Sequence, residues 1–140
     1  LQIAKEATEL FTTNGAKVLW ISMLPGGTTP QRDTDRVFEM VPSFYAGNVA
    51  FTDIESSLRR PAGEFGDYPR SYVDATGQTI MLRKPDNWHL CPVGAARVAD
   101  AINTKTASIG WSNRAVTGWQ VGSWTTDARY DEPKCGCLVR

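Results

Sequence analysis

Lys17-Val18-Leu19-Trp20-Ile21-Ser22-Met23-Leu24 is an almost unbroken apolar run, closed by Pro25-Gly26-Gly27. A run of this length without polar alternation suits a strand covered on both faces, as in a parallel sheet. Upstream, Ile3, Ala7, Leu10 and Phe11 share one helical face and Asn14-Gly15 offers a left-handed C-cap, which predicts a helix over residues 2–14. Downstream, a polar loop leads to Val37, Met40, Val41 and Phe44 at helical spacing, and Asn48-Val49-Ala50-Phe51-Thr52-Asp53-Ile54 reads as a second strand. Helix, strand, helix, strand is the order of an α/β fold with right-handed crossovers. The segment 34–44 has the length of a crossover helix, so the two strands are expected to be parallel neighbours.

Residues 55–78 show no period and read as a long loop with a short irregular element. Tyr72-Val73-Asp74 and Thr79-Ile80-Met81-Leu82-Arg83 flank a turn at Ala75-Thr76-Gly77 and suggest a small hairpin. Pro92 fits the first position of a helix that continues through Ala96, Val98, Ala99 and Ile102. From residue 108 the character changes: Trp111, Trp119, Trp124 and Tyr130 lie among Gly, Ser, Thr and Asp, as in a turn-rich extension whose aromatics pack back on the core.

A chain of 140 residues with 41% hydrophobic content supports one core, not two ordinary domains. Its 15 basic and 15 acidic side chains cancel and are scattered, which argues against nucleic acid or an anionic membrane as partner. No apolar run approaches the ~20 residues of a bilayer span. The opening Leu1-Gln2-Ile3-Ala4 reads as the inside of a helix, so further residues are expected before Leu1. Cys91, Cys135 and Cys137 are candidates for disulfides; a Cys135–Cys137 bridge is strained by its spacing, which favours Cys91 with either of them over the pair. Free thiols and a metal held by the three cysteines are the alternatives.

His89 is the single histidine, so imidazole chemistry has one possible address. Asp86 precedes it by three residues in a loop bounded by Pro85 and Pro92. One tight turn brings such side chains to about 5–6 Å at Cβ. A carboxylate there fixes the imidazole tautomer and stabilises the imidazolium, leaving the other ring nitrogen to take a proton from a serine hydroxyl. A structural hydrogen bond is the plain alternative. Asp53 and Glu55, at the end of the second strand, sit where α/β folds gather ligands, or else form a solvated loop pair. His-Glu-x-x-His, Cys-x-x-Cys and phosphate-cradling Gly loops are absent from the sequence, so neither a cofactor nor a metal is expected.

Pro85-Asp86-Asn87-Trp88-His89-Leu90-Cys91-Pro92-Val93-Gly94-Ala95-Ala96-Arg97-Val98-Ala99 resembles the last conserved block of the SGNH (GDSL-like) hydrolases, Asp-x-x-His followed by a Gly-containing helix. The resemblance covers about residues 1–105. It implies a three-layer α/β/α fold with a parallel flavodoxin-like sheet, of which residues 1–107 supply the C-terminal half and 108–140 an extension. It further implies a carboxylic-ester hydrolase with Asp86 as orienting acid and His89 as general base, acting on a small ester or an acylated glycan or lipid. An O-acyltransferase would use the same residues, and a non-catalytic glycan- or protein-binding module is the competing class.

The family's Gly-Asp-Ser and Gly-x-Asn-Asp blocks have no counterpart: Gly66-Asp67 is followed by Tyr68, and Gly47-Asn48 by Val49. The serine and oxyanion donors are therefore expected from an N-terminal half on another segment or chain, and residues 1–140 alone are expected to be inactive. The stretch from Trp119 to Pro133 is similar to the ends of exported actinobacterial members, which implies an extracytoplasmic location and disulfides.

Overall fold

A computed structural model describes residues 1–24, 32–45, 47–61, 68–111, 118, 122, 123, 127 and 137, with backbone alone at 32–35. The sequence features at Pro25-Gly26-Gly27, Gly66-Asp67, Trp119, Trp124, Tyr130 and Cys135 lie outside the described residues. Helices α1 (Gln2–Thr12), α2 (Arg32–Met40) and α3 (Pro92–Ser108) are combined with strands β1 (Val18–Ile21), β2 (Val49–Thr52), β3 (Ser71–Val73) and β4 (Thr79–Met81) in a mixed α/β structure. Short 3-10 turns occupy Val41–Phe44 and Glu55–Leu58.

β1 and β2 pair in parallel, with Val18 opposite Val49 and Ile21 opposite Thr52, and α2 lies on the crossover between them. The strands are shorter than the apolar runs. Ser22 closes the ladder, its N–H donating to the Thr52 carbonyl at 3.1 Å, while its hydroxyl donates to Asp53 Oδ1 at 3.1 Å and accepts from the Ile54 N–H at 2.8 Å. α1 ends at Thr12, and Gly15 follows with φ 78° and its N–H on the Thr12 carbonyl at 2.8 Å, a conformation that glycine adopts without a Cβ penalty.

The apolar stripe of α1 is not its buried face. Ala4 and Thr8 are buried, whereas Ile3, Leu10 and Phe11 are 83%, 75% and 61% exposed. The small residues allow the helix to sit against Trp20, whose Nε1–H donates to the Thr8 hydroxyl at 3.0 Å. Thr8 passes its own proton to the Ala4 carbonyl at 2.7 Å, so the buried polar atoms are satisfied. Trp20 stacks on Phe38 with centroids 4.7 Å apart. Ala4, Val41 and Val49 form the centre of this core, with Val18, Val37 and Tyr45 packed around it. β1 itself is incompletely covered: Val18, Leu19 and Trp20 are half-buried and Ile21 is exposed.

β3 and β4 form the expected antiparallel hairpin, with Tyr72 opposite Ile80. The loop between is fixed by Asp74, whose Oδ1 accepts from the Thr76 and Gln78 N–H groups and from the Thr76 hydroxyl at 2.7–3.0 Å. Pro92 starts α3 as expected, with Cys91 as its extended N-cap. Trp111, just past α3, lies 5.6 Å from the Lys17 ammonium, which brings the start of the extension back to the beginning of β1. Among the described residues no helix is long and apolar enough to cross a membrane.

Candidate functional site

The segment between β4 and α3 is a loop closed at its base. The Cys91 N–H donates to the Leu82 carbonyl at 2.9 Å, Arg83 and Leu90 form an antiparallel bridge, and the Lys84 N–H donates to the His89 carbonyl at 2.8 Å. At the tip, the Asn87 N–H reaches the Lys84 carbonyl at 3.0 Å, closing a turn in which Pro85 supplies the fixed φ of the second position. Asn87 lies in the left-handed region with φ 62°, which asparagine tolerates better than most side chains.

Asp86 organises this turn. Its Oδ1 accepts the backbone N–H groups of Trp88 at 2.9 Å and His89 at 3.0 Å, and its Oδ2 lies 2.6 Å from His89 Nδ1. The hydrogen bond from the imidazole, followed by those from the two N–H groups, draws the Asp86 pKa down from 3.8 to about 2. The carboxylate is thus ionised near neutrality, so Nδ1 carries the proton that is donated and the neutral ring keeps Nε2 as its acceptor. The His89 side chain is 75% exposed and Asp86 46%. Among the described residues the ring has no hydrogen-bonding partner besides Asp86.

Arg83 lies beneath the loop, fully buried, and its Nη1 donates to the Asn87 carbonyl at 3.0 Å. Its Nε and Nη2 find no acceptor among the described residues, and burial lowers its pKa. A guanidinium in this position holds the tip of the turn at the expense of an undercompensated charge. Nothing in the sequence distinguished Arg83 from the other arginines, because its burial depends on the fold.

The second brace is covalent. Cys91, fully buried and two residues past His89, is joined to Cys137 across 46 residues, with the two Cα atoms 5.3 Å apart. This selects one of the two bridges the spacing left open and removes both thiolates from any three-cysteine metal site. Among the described residues no group of His, Cys, Asp and Glu is arranged to hold a metal ion.

Asp53 and Glu55 do fall at the carboxyl end of β2, but both serve the local structure. Asp53 Oδ1 accepts from the Ser22 hydroxyl and from the Glu55 N–H at 2.8 Å, tying the end of β2 to the start of the 3-10 turn. Glu55 is buried and accepts from the Tyr68 hydroxyl at 2.5 Å. Tyr68 titrates high because burial, and then this bond to Glu55, disfavour the phenolate. The structure therefore brings Asp86 and His89 together and gives Asp53 and Glu55 structural partners.

No family model, curated protein or solved structure matches the chain.

Proposed function

We propose that this chain is the acid–base half of a serine ester hydrolase of SGNH type, with the nucleophilic serine and its oxyanion donors on a segment outside residues 1–140. The observation that carries this reading is the Asp86–His89 pair: an ionised carboxylate held by three N–H groups, a ring in a defined tautomer, and an open Nε2. In the reaction the serine Oγ attacks the ester carbonyl as its proton passes to His89 Nε2, and the imidazolium returns that proton to the departing alkoxide. Water then repeats the sequence on the acyl-serine, with His89 again taking and returning a proton. Asp86 remains ionised throughout and stabilises the imidazolium. Transfer of the acyl group to a sugar or lipid hydroxyl follows the same steps with that hydroxyl in place of water.

The exposed stripe Ile3, Leu10 and Phe11 on α1, and the half-covered β1, support a larger three-layer sheet in which residues 1–107 form the C-terminal half. A parallel pair of strands is stable when both faces are covered. The Cys91–Cys137 bridge supports an extracytoplasmic setting and ties residue 137 of the extension 108–140 to this half. Substrates are small esters or acylated glycans or lipids.

The test is fluorophosphonate labelling of the intact gene product, followed by peptide mapping. One serine outside residues 1–140 should be labelled in the parent protein and not in a folded His89→Ala variant. Absence of labelling in the parent contradicts the reading and favours a non-catalytic glycan- or protein-binding module.

A further inference from the structure

The turn that presents His89 also presents two side chains that the ester chemistry leaves unused. Asn87 and Trp88 immediately precede the base, and residues 85–89 are all exposed. Trp88 is 56% exposed. A scattered apolar side chain at the surface calls for no explanation, but this one is the chain neighbour of the sole histidine, with consecutive Cα atoms about 3.8 Å apart. We infer that Asn87 and Trp88 receive the alcohol half of the ester, and that this half is a sugar ring stacked on the Trp88 indole. The ester rests on the proposed hydrolase; the sugar contact itself does not.

The backbone of the tip is fixed, and these two side chains take no part in fixing it. Asp86 Oδ1 accepts the Trp88 and His89 N–H groups at 2.9 and 3.0 Å, and Arg83 Nη1 donates to the Asn87 carbonyl at 3.0 Å. Among the described residues the Asn87 amide and the Trp88 indole have no hydrogen-bonding or ring partner. Trp20 shows the contrast, its Nε1–H spent on the Thr8 hydroxyl and its ring on Phe38. Trp88 thus offers a flat apolar face and one donor, and Asn87 a carbonyl oxygen and two N–H donors. Their backbone is already ordered, which lowers the entropy lost on binding.

The chain neighbours of the indole are polar: Asp86, Asn87 and His89. An aliphatic chain is held where apolar surface encloses it on most sides, and against one exposed ring most of it stays in water. A pyranose divides its surface differently. The C–H groups of its face cover the indole, while the hydroxyls around its rim reach the Asn87 amide and solvent. When the acyl carbon–oxygen bond breaks, the sugar oxygen leaves with the electron pair and takes the proton held on His89 Nε2. A sugar seated on residues 87 and 88 is therefore next to the group that protonates it.

The experiment uses the intact gene product and the methyl glycosides of glucose, galactose, xylose and N-acetylglucosamine, each with and without an O-acetyl ester. Saturation-transfer NMR with the unesterified glycosides should show contact through the ring C–H protons of at least one. Trp88→Leu should weaken that binding about tenfold, as expected when roughly 60 Å² of apolar contact is lost, and Trp88→Tyr, which keeps a flat face, should retain it. Asn87→Gly, which accepts the left-handed backbone and removes the amide, should weaken it about fivefold. With the acetylated glycoside, kcat/KM relative to that for ethyl acetate should fall about tenfold in Trp88→Leu, through KM. Circular dichroism establishes that each variant is folded, and Trp88→Ala takes the place of Trp88→Leu if the latter is not. Sugar contact that depends on Trp88 in a protein that hydrolyses neither ester supports the sugar site and contradicts the hydrolase. No contact with any glycoside, an equal loss of kcat/KM for sugar acetate and ethyl acetate, or a loss that follows acyl length and not the alcohol would each overturn the inference.

Discussion

Gly94→Ala sets two effects against each other, and their magnitudes decide the sign. Within a helix alanine is favoured over glycine by about 1 kcal/mol, and Gly94 sits in the first turn of α3, where the gain is no larger. A Cβ at Gly94, however, falls 2.2 Å from the Leu82 carbonyl oxygen and 3.2 Å from its carbon. The partner is backbone, so no rotamer relieves the contact, and the two segments must separate by roughly 1 Å to reach ordinary van der Waals distance. That same oxygen accepts the Cys91 N–H at 2.9 Å, so the shift also weakens the bond closing the base of the Asp86–His89 loop. Overpacking of about 1–3 kcal/mol together with a weakened hydrogen bond of about 1 kcal/mol outweighs the propensity gain. The expected net destabilisation is about 1–3 kcal/mol. Urea unfolding followed by tryptophan fluorescence should show the midpoint lower by about 1 M with an unchanged slope. A Gly94→Ala chain as stable as the parent, or more so, would refute the close packing of α3 on Leu82.

Reduction of the Cys91–Cys137 bridge releases a closure of 46 residues, which loop entropy values at about 4 kcal/mol; denaturant midpoints with and without reductant should differ accordingly. Asp86 has its folded pKa depressed to about 2 from 3.8, so its stabilising contribution is fully present above about pH 4 and is lost as pH falls through about 2. A ¹³C titration of its carboxyl should follow that range and move back upward in His89→Ala, because the largest cause of the shift is then gone. Arg83→Met removes an undercompensated buried charge together with a bond to Asn87, so stability should hold or rise while amide exchange at residues 87–89 accelerates. A loss of several kcal/mol in that variant would show that the guanidinium is fully compensated.

The parallel pair β1–β2 was legible because two apolar runs flank a segment of crossover length, a pattern that topology leaves little freedom to satisfy otherwise. The Asp86–His89 contact was legible for a different reason: it is formed within four residues and needs no distant partner. The buried side of α1 was not, because Ala4 and Thr8 are chosen by the shape of Trp20 and not by their own hydrophobicity. Arg83 was hidden for the same reason, since charge predicts exposure and only the assembled loop buries it. The cysteine spacing narrowed the bridge to two pairings, and the fold chose Cys137. Arg97 meets the Arg59 carbonyl across 38 residues, with no local motif to mark the contact.

The proposed role of the Asp86–His89 pair is tested most directly by kcat/KM for p-nitrophenyl acetate, measured on the intact gene product and on its folded His89→Ala variant. Removal of the base should lower kcat/KM by roughly three or more decades, and Asp86→Asn by a comparable factor through loss of the correct tautomer. Undiminished hydrolysis by a folded His89→Ala variant would contradict that role.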